Sequence, residues 1–210
     1  METKDLKKEI IAKGYVHIPY PHTITIDEVR SQYGDLIFTT LIKENPQSTR
    51  LLSSNNYVDF HTDHIKAKYI AWQCQSQSAN GGESLLLDGL GILGNASVDL
   101  IEAIQTVSVK SHRLFYGDKP EYPLYTAESN ILYYAPFLCD IPIGSKAKEA
   151  LKWFQEQIAR VPQIEIKLSE GDWLIIDNHR MLHARRGFET RSNRLLTRYW
   201  LSEQANHINN

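Results

Sequence analysis

The triplet His61-Thr62-Asp63 is the stretch of this chain whose residue types could do chemistry together. In an extended strand, residues two apart point to the same side, so this imidazole and this carboxylate would face one interior point. Such a pair is two thirds of the 2-His-1-carboxylate triad that holds non-haem Fe(II) and leaves coordination positions open. With 8 His and 25 acidic residues in 210, about one His-x-acid triplet is expected by chance. Alone, the triplet could equally be a core histidine beside an aspartate that caps a turn.

A second histidine and an arginine-bearing strand follow much later in the sequence. His183 ends the segment Asp177–His183, and a strand is expected over Arg194–Leu201. Alternation along that strand places Arg194, Leu196, Arg198 and Trp200 on one face. An arginine that points into a core needs an anionic partner, and a carboxylate that binds it through two parallel hydrogen bonds is the best one. The partner could be an organic acid, or it could be the chain's own acidic residues.

Taken together, the segments resemble the TauD/TfdA family of Fe(II)/2-oxoglutarate-dependent dioxygenases, and in particular its clavaminate synthase-like branch. The matching segments, in order, are His61-Thr62-Asp63, Gly81-Gly82-Glu83-Ser84, Gly171-Asp172, Asp177-Asn178, His183, Arg194 and Arg198. Their order and spacing make the resemblance far more specific than any one segment.

The resemblance implies a site for Fe²⁺ and for 2-oxoglutarate as co-substrate. It implies that His61, Asp63 and His183 are the iron ligands. It also implies that Arg198 grips the far carboxylate of 2-oxoglutarate, that Arg194 supports this carboxylate site, and that the Ser84 hydroxyl hydrogen-bonds the co-substrate.

The fold expected is mainly β with flanking helices, a double-stranded β-helix (a jelly roll, cupin-like), in a single domain over 1–210. Capping residues and helical periodicity predict helices over 5–13, 26–33, 97–105 and 145–160, the first with Leu6, Ile10 and Ile11 inward. Turn signals and alternation predict strands within 36–63 and over 15–18, 69–74, 83–88, 163–168, 173–177 and 194–201.

Composition excludes some partners. The net charge of −2 provides no field that would attract nucleic acid or an anionic membrane. No apolar run reaches the length of a membrane span, and the charged N-terminus lacks the apolar core of a signal peptide. Cys74 and Cys139 have no metal-type spacing, which favours free thiols in a reducing cytoplasm. The oligomeric state is left open.

The reaction expected is oxidation, by hydroxylation, of a small polar molecule with O2, releasing succinate and CO2. Residues beside the metal segments would suit a carboxylate-bearing or amino-acid-like substrate: Asn55, Asn56, Tyr57, Arg185 and Arg186. Alternatively, these side chains are simply solvated.

Three other functions stay open at this point. His179 and His183 have the spacing of a zinc site, but Arg180 stands where a metalloprotease has its glutamate base. A non-catalytic jelly-roll module would need no complete triad. An AlkB-like nucleic-acid demethylase shares the triad and could use the six arginines between 180 and 198. We interpret His64 and His179 as neighbours of the ligands that do not themselves bind metal.

Overall fold

The computed structural model describes residues 6–22, 24–45, 53–140 and 145–203. The α-helices of these ranges are α1 (Leu6–Lys13), α2 (Ile26–Tyr33), α3 (Gly89–Leu93), α4 (Val98–Gln105) and α5 (Lys146–Arg160). The strands are β1 (Tyr15–Ile18), β2 (Asp35–Lys43), β3 (Val58–His61), β4 (Tyr69–Ser76), β5 (Ser84–Asp88), β6 (Ser108–Lys110), β7 (Glu121–Pro123), β8 (Tyr125–Thr126), β9 (Ile131–Leu132), β10 (Cys139–Asp140), β11 (Ile164–Ile166), β12 (Trp173–Asp177), β13 (Met181–Arg185) and β14 (Leu195–Ser202).

Two antiparallel sheets make up the centre of the molecule. The larger has five strands in the order β1-β12-β4-β14-β2, and the smaller has four in the order β11-β5-β13-β3. Strands distant in sequence are neighbours in both sheets, as the connections of a jelly roll require. The predicted fold class, mainly β with a double-stranded β-helix, is confirmed.

The space between the two sheets is a buried apolar core. The large sheet contributes Trp72, Leu174 and Trp200, and the small sheet contributes Leu86 and Met181. Side chains on alternate positions of each strand point the other way. The inward positions therefore define the walls of any cavity between the sheets.

Helices cover both outer faces of this sandwich. Leu6 and Ile10 of α1 and Val29 of α2 pack on the large sheet. Leu151 and Phe154 of α5 pack in a cluster with the outward side chains of the small sheet. Because strands β5 and β12 are buried on both faces, the segments Leu85-Leu86-Leu87 and Trp173–Ile176 are apolar without interruption. None of the helices in the described ranges combines the length and the apolar character needed to cross a membrane.

Most predicted helices and strands are confirmed, but one residue was placed on the wrong side, and helix α3 and strands β6 to β10 were not predicted. The helix over 26–33 begins with the expected capping box of Thr25 and Glu28, and Ser145 caps α5. Ile11 was wrongly placed inward: it is 72% exposed, because the buried stripe of the short α1 helix is limited to Leu6 and Ile10. Strand β13 was not predicted. The single domain over 1–210 stays a prediction, and the expected start of the first helix at residue 5 lies outside the described residues.

Thr62 anchors the end of β3 to a neighbouring segment. Its N–H donates to the carbonyl oxygen of Tyr134 at 2.7 Å, and its hydroxyl oxygen accepts from the N–H of Tyr134 at 2.9 Å. Only 3% of Thr62 is exposed. These two bonds keep the chain extended where the strand has ended.

We predict that Thr62→Val lowers the free energy of unfolding by about 1–3 kcal/mol, because the buried N–H of Tyr134 loses its acceptor while the side-chain shape is kept. Urea denaturation measures this difference. Thr62→Ser retains the hydroxyl and is the matched control. An equal loss in both variants would assign the effect to packing and contradict the prediction.

Candidate active site

His61, Asp63 and His183 lie together at one end of the inter-sheet space. Each offers a ligand atom, and these atoms all lie within 4.8 Å of one another. Nε2 of His61 is 3.9 Å from Oδ1 of Asp63, and Nε2 of His183 is 4.0 Å from Oδ2. The three residues singled out in the sequence are thus brought together with their ligand atoms facing one point.

A shift in strand register aims His61 at this point. His61 pairs with His183, but Arg185 pairs with Val58, so β3 has one residue more than β13 over this interval. This arrangement is that of a β-bulge, which changes the direction of the side chains around it. As a result Val58 and His61 both line the inter-sheet cavity, whereas Asp59 and Phe60 line a separate cavity on the α5 side.

Asp63 lies beyond the end of β3 and is held through its backbone. Its N–H donates to Oδ1 of Asn178 at 2.8 Å. The amide nitrogen of Asn178 donates in turn to the carbonyl oxygen of Ala67 at 2.8 Å. Asn178 is 1% exposed, so a buried side chain from the loop before β13 fixes the turn that presents Asp63.

The histidines have the protonation state that metal binding needs. Nδ1 of His61 lies 2.7 Å from the carbonyl oxygen of Asp59, so it is the protonated nitrogen and Nε2 keeps its lone pair. Burial lowers the pKa of His61. Burial, followed by the nearby His61, lowers the pKa of His183 well below its ordinary value. Both rings are therefore neutral at neutral pH, and neutral imidazole is the metal-binding form.

Asp63 is the only acidic side chain in this cluster, and it stays ionised. Burial acts to raise its pKa, but the charge of Arg198 and the hydrogen bond from Trp200 contribute to a net lowering. Nη1 of Arg198 lies 2.8 Å from Oδ2 and 3.0 Å from Oδ1. Nε1 of Trp200 donates to Oδ2 at 2.8 Å. Two neutral imidazoles and one carboxylate fit a divalent iron ion.

The cavity beside the cluster extends between the sheets and encloses about 530 Å³ of atom-free space, including its open mouth. Its lining residues are Ile42, Val58, His61, Trp72, Ser84, Leu86, Leu174, His183, Ala184, Arg185, Arg194, Leu196 and Arg198. The mixture is apolar walls with a few polar groups, which is typical of a small-molecule site.

Three of these lining residues are buried arginines. Arg185 is 9% exposed, and Arg194 and Arg198 are each 4% exposed. Burial lowers the pKa of both Arg185 and Arg194 to about 10, so they still carry charge at neutral pH. Nε of Arg185 and Nε of Arg198 are buried without a hydrogen-bond partner.

Arg185 and Arg194 pair with no acidic side chain of the described residues. Nη2 of Arg185 donates to the carbonyl oxygens of Ser54 and Asn56, each at 2.7 Å. Nε of Arg194 donates to Oε1 of Gln77 at 3.1 Å. The cavity thus has more positive than negative charge, and buried positive charge of this kind calls for an anion.

Strand register sets the depth of the arginines relative to the metal ligands. His183 pairs with Leu86 in β5, and Arg185 pairs with Ser84, two residues further along. That step corresponds to about 7 Å. Arg198 is level with Trp72, whose ring lies 5.1 Å from that of His183. Arg198 therefore lies level with the metal ligands, and Ser84 lies about 7 Å further along the strands.

Gly82 makes room for Arg194. Its φ is +79°, and a Cβ there would lie 3.2 Å from Nε of Arg194 and 3.0 Å from Oε1 of Gln77. The Gly81-Gly82 turn singled out in the sequence therefore has a steric reason: it lets the buried guanidinium lie against the backbone.

The residues expected near the substrate divide into two groups. Arg185 lines the cavity, but Arg186 points to the surface and pairs with Glu165 at 2.7 Å. Asn56 and Tyr57 are exposed. Asn55 is half-buried and accepts the N–H of Phe188 with its carbonyl oxygen at 2.9 Å.

The remaining histidines near the ligands make other contacts, as expected. Nε2 of His64 lies 3.1 Å from Oδ2 of Asp118, and Nε2 of His179 lies 2.7 Å from the carbonyl oxygen of Ile65. Sequence reasoning missed the contact of Trp200 with Asp63. Alternation did place Trp200 on the same face as Arg198, but nothing local indicated which group its N–H would reach.

Comparison with known proteins gives a family match and several similar folds. The family model "Taurine catabolism dioxygenase TauD, TfdA family" matches residues 21–200. The curated protein 3-((Z)-2-isocyanoethenyl)-1H-indole synthase of Fischerella ambigua (strain UTEX 1903) is 28% identical over 194 residues, which covers 77% of this chain and 68% of that protein.

Solved structures of iron oxygenases share the fold at low sequence identity. Asparagine oxygenase (AsnO) has a TM-score of 0.75 at 14% identity, covering 95% of this chain and 76% of that one. OrfP in complex with Fe and alpha-ketoglutaric acid has a TM-score of 0.72 at 16% identity, covering 94% and 78%. Asparagine oxygenase with Fe(II), 2S,3S-3-hydroxyasparagine and succinate has a TM-score of 0.65 at 17% identity. The comparison covers 78% of this chain and 56% of that one, so the chain spans little more than half its length.

The family match covers most of the chain and includes every residue of the metal cluster and of the arginine-lined cavity. The chain belongs to the TauD/TfdA family of dioxygenases, whose cofactors are Fe(II) and 2-oxoglutarate.

Proposed function

We propose that this protein is an Fe(II)- and 2-oxoglutarate-dependent oxygenase that hydroxylates a small, amino-acid-like substrate bearing a carboxylate, with release of succinate and CO2. One observation carries the proposal: the cluster of His61, Asp63 and His183 adjoins a cavity that contains three buried arginines. A metal site alone would fit many enzymes, and a cationic cavity alone would fit many anions. Together they fit a metal that binds an organic acid.

In this proposal His61, Asp63 and His183 hold the iron. When bound, the iron and 2-oxoglutarate supply oxidative decarboxylation of the co-substrate by O2 and the oxidation of a substrate C–H bond. The chain's own contribution is to leave the other coordination positions open, to orient both organic molecules, and to keep water out of the cavity.

The arginines and Ser84 would bind the carboxylates of 2-oxoglutarate. From the sequence, the far carboxylate was assigned to Arg198 with Arg194 in support. The contacts favour a different division of roles between these two arginines. Arg198 lies against Asp63, at the level of the metal cluster. Arg194 has no acidic partner among the described residues, and its guanidinium lies beside the backbone of Gly82. We therefore propose that Arg194 and Ser84 hold the far carboxylate and that Arg198 serves the end nearer the metal.

The third buried arginine, Arg185, supports the proposal that the substrate carries a carboxylate. If 2-oxoglutarate neutralises Arg194 and Asp63 offsets Arg198, Arg185 is still buried in the same cavity without an acidic partner in the described ranges. Two enzymes of similar fold have been solved with hydroxylated amino acids: asparagine oxygenase with hydroxyasparagine and OrfP with hydroxy-arginine. Both lines of reasoning favour an amino-acid-like substrate.

The alternatives find less support. The ring of His179 hydrogen-bonds a backbone carbonyl and is not in the metal cluster, which disfavours a zinc site formed with His183. For a nucleic-acid substrate, the six arginines would need to face outward. Instead three line the cavity, and Arg180 and Arg186 pair with Asp88 and Glu165. The free thiols of Cys74 and Cys139 are consistent with the proposed cytoplasmic location.

We predict that His183→Ala loses iron and succinate release. Removing a hydrogen-bond partner of a metal ligand weakens metal binding by up to about 100-fold. Removing a ligand itself should therefore weaken iron binding by more than that. Iron per chain after anaerobic dialysis and succinate formation both measure it. His179→Ala, four residues away and outside the cluster, should keep its iron. Normal iron content in the His183 variant would overturn the ligand assignment.

We predict that Arg194→Ala raises the KM for 2-oxoglutarate by about 30-fold to several thousandfold, because a buried, charge-assisted pair worth about 2–5 kcal/mol is lost. Arg194→Lys should restore little, since an ammonium group cannot reproduce the planar fork of a guanidinium. The measurement is succinate release as a function of 2-oxoglutarate concentration.

Arg186→Ala is the matched control for this experiment, because Arg186 is exposed and pairs only with Glu165 among the described residues. Its KM for 2-oxoglutarate should match that of the unmodified protein. A normal KM in the Arg194 variant would show that another residue holds the co-substrate.

A further inference from the structure

The carboxylate of Asp63 receives hydrogen bonds from two side chains of the same strand, and the two donors differ in charge. Arg198 reaches both oxygens through one nitrogen, at 2.8 and 3.0 Å. Trp200, two residues later on β14, donates its indole N–H to Oδ2 at 2.8 Å. The indole nitrogen is neutral and can only donate.

This difference matters when a divalent cation binds Asp63. A bound metal would repel the positive charge of Arg198 and the carboxylates of the co-substrate would attract it, so its bond to Asp63 would weaken in the loaded site. The N–H of Trp200 has no net charge and is not driven away. Trp200 is therefore the donor that can hold Oδ2 both before and after the metal binds.

The indole ring is fixed by its neighbours. Trp200 is 4% exposed. Its ring is stacked on that of His64, with centroids 6.0 Å apart and 21° between the planes, and it contacts Phe38 with centroids 4.9 Å apart. A rigid donor fixes the plane of the carboxylate that it contacts, and such outer contacts orient metal ligands and adjust metal affinity.

We propose that Trp200 is a positioning residue that fixes the orientation of the Asp63 carboxylate for iron, an inference that rests on the proposed function. Because Oδ2 is engaged by the indole, the carboxylate presents its remaining lone pairs to the metal in one orientation. Asp63 held in this way would bind the metal in one orientation and leave the other coordination positions for 2-oxoglutarate and O2.

The test is the affinity for Fe(II), measured by anaerobic equilibrium dialysis without co-substrate. Trp200→Phe keeps an aromatic ring but removes the N–H, and we expect its iron affinity to fall by about 10- to 100-fold. Trp173→Phe is the matched control. Trp173 is also buried, at 2% exposed, and it stacks on Tyr199 away from Asp63, so its iron affinity should not change.

A second variant separates the hydrogen bond from packing. Site-specific replacement of Trp200 by benzothienylalanine, in which sulfur replaces the N–H, retains the shape of the ring. It should lose iron affinity as Trp200→Phe does. At saturating iron, the KM for 2-oxoglutarate of the benzothienylalanine variant should stay normal, because the ring under the Arg198 guanidinium is kept. A general disturbance of the cavity would raise this KM.

The outcomes distinguish the two proposals. If the unmodified protein binds no iron, the proposed function fails. If it binds iron and either Trp200 variant binds it equally well, the positioning role of Trp200 is overturned while the proposed function stands. A raised KM for 2-oxoglutarate in the benzothienylalanine variant would also overturn the role, because the effect would then lie in the cavity and not in Asp63.

Discussion

Burial of charge between two sheets is the constraint on which this structure depends. One ionised carboxylate and three guanidinium groups line or adjoin the same cavity, and each buried ion costs several kcal/mol unless it is paired. The protein's own acidic and polar groups offset this cost only in part. Asp63 offsets Arg198, while Arg185 and Arg194 have backbone carbonyls, a glutamine oxygen and the ring of Phe188 as neighbours. The cavity is thus favourable for anions before any ligand arrives.

A rigid scaffold is needed to hold like charges close together. Arg185, Arg194 and Arg198 lie on or directly beside central strands of the two sheets, and helices cover the outer face of each sheet. A register shift that turned one of these guanidinium groups outward would bury its charge in the apolar cluster between sheet and helix. The same packing that explains the apolar strands therefore keeps the guanidinium groups in place.

Much of the site could be predicted because its signals are local. The period of two along β14 placed Arg198 and Trp200 on one face, and the Gly81-Gly82 turn was part of the pattern shared with the family. What sequence reasoning missed depends on partners distant in the chain. The extra residue of β3 appears only when it pairs with β13. The contact of Arg198 with Asp63 likewise joins segments that no local pattern connects. It is the reason why we now propose Arg194, and not Arg198, for the far carboxylate.

The pairing of His61 with His183 across β3 and β13 has a thermodynamic consequence for the whole chain. The three proposed ligands come from segments far apart in sequence, so the set exists only when β3 and β13 have paired in the small sheet. A metal that binds the native state and not the unfolded chain stabilises it by mass action, about 2.7 kcal/mol at a hundredfold excess over the dissociation constant. Iron held by these residues would therefore act as a reversible cross-link between β3 and β13 within the small sheet. On the proposed function, a chain without iron is less stable, so a larger fraction of the chains would be unfolded and exposed to proteases when iron is scarce.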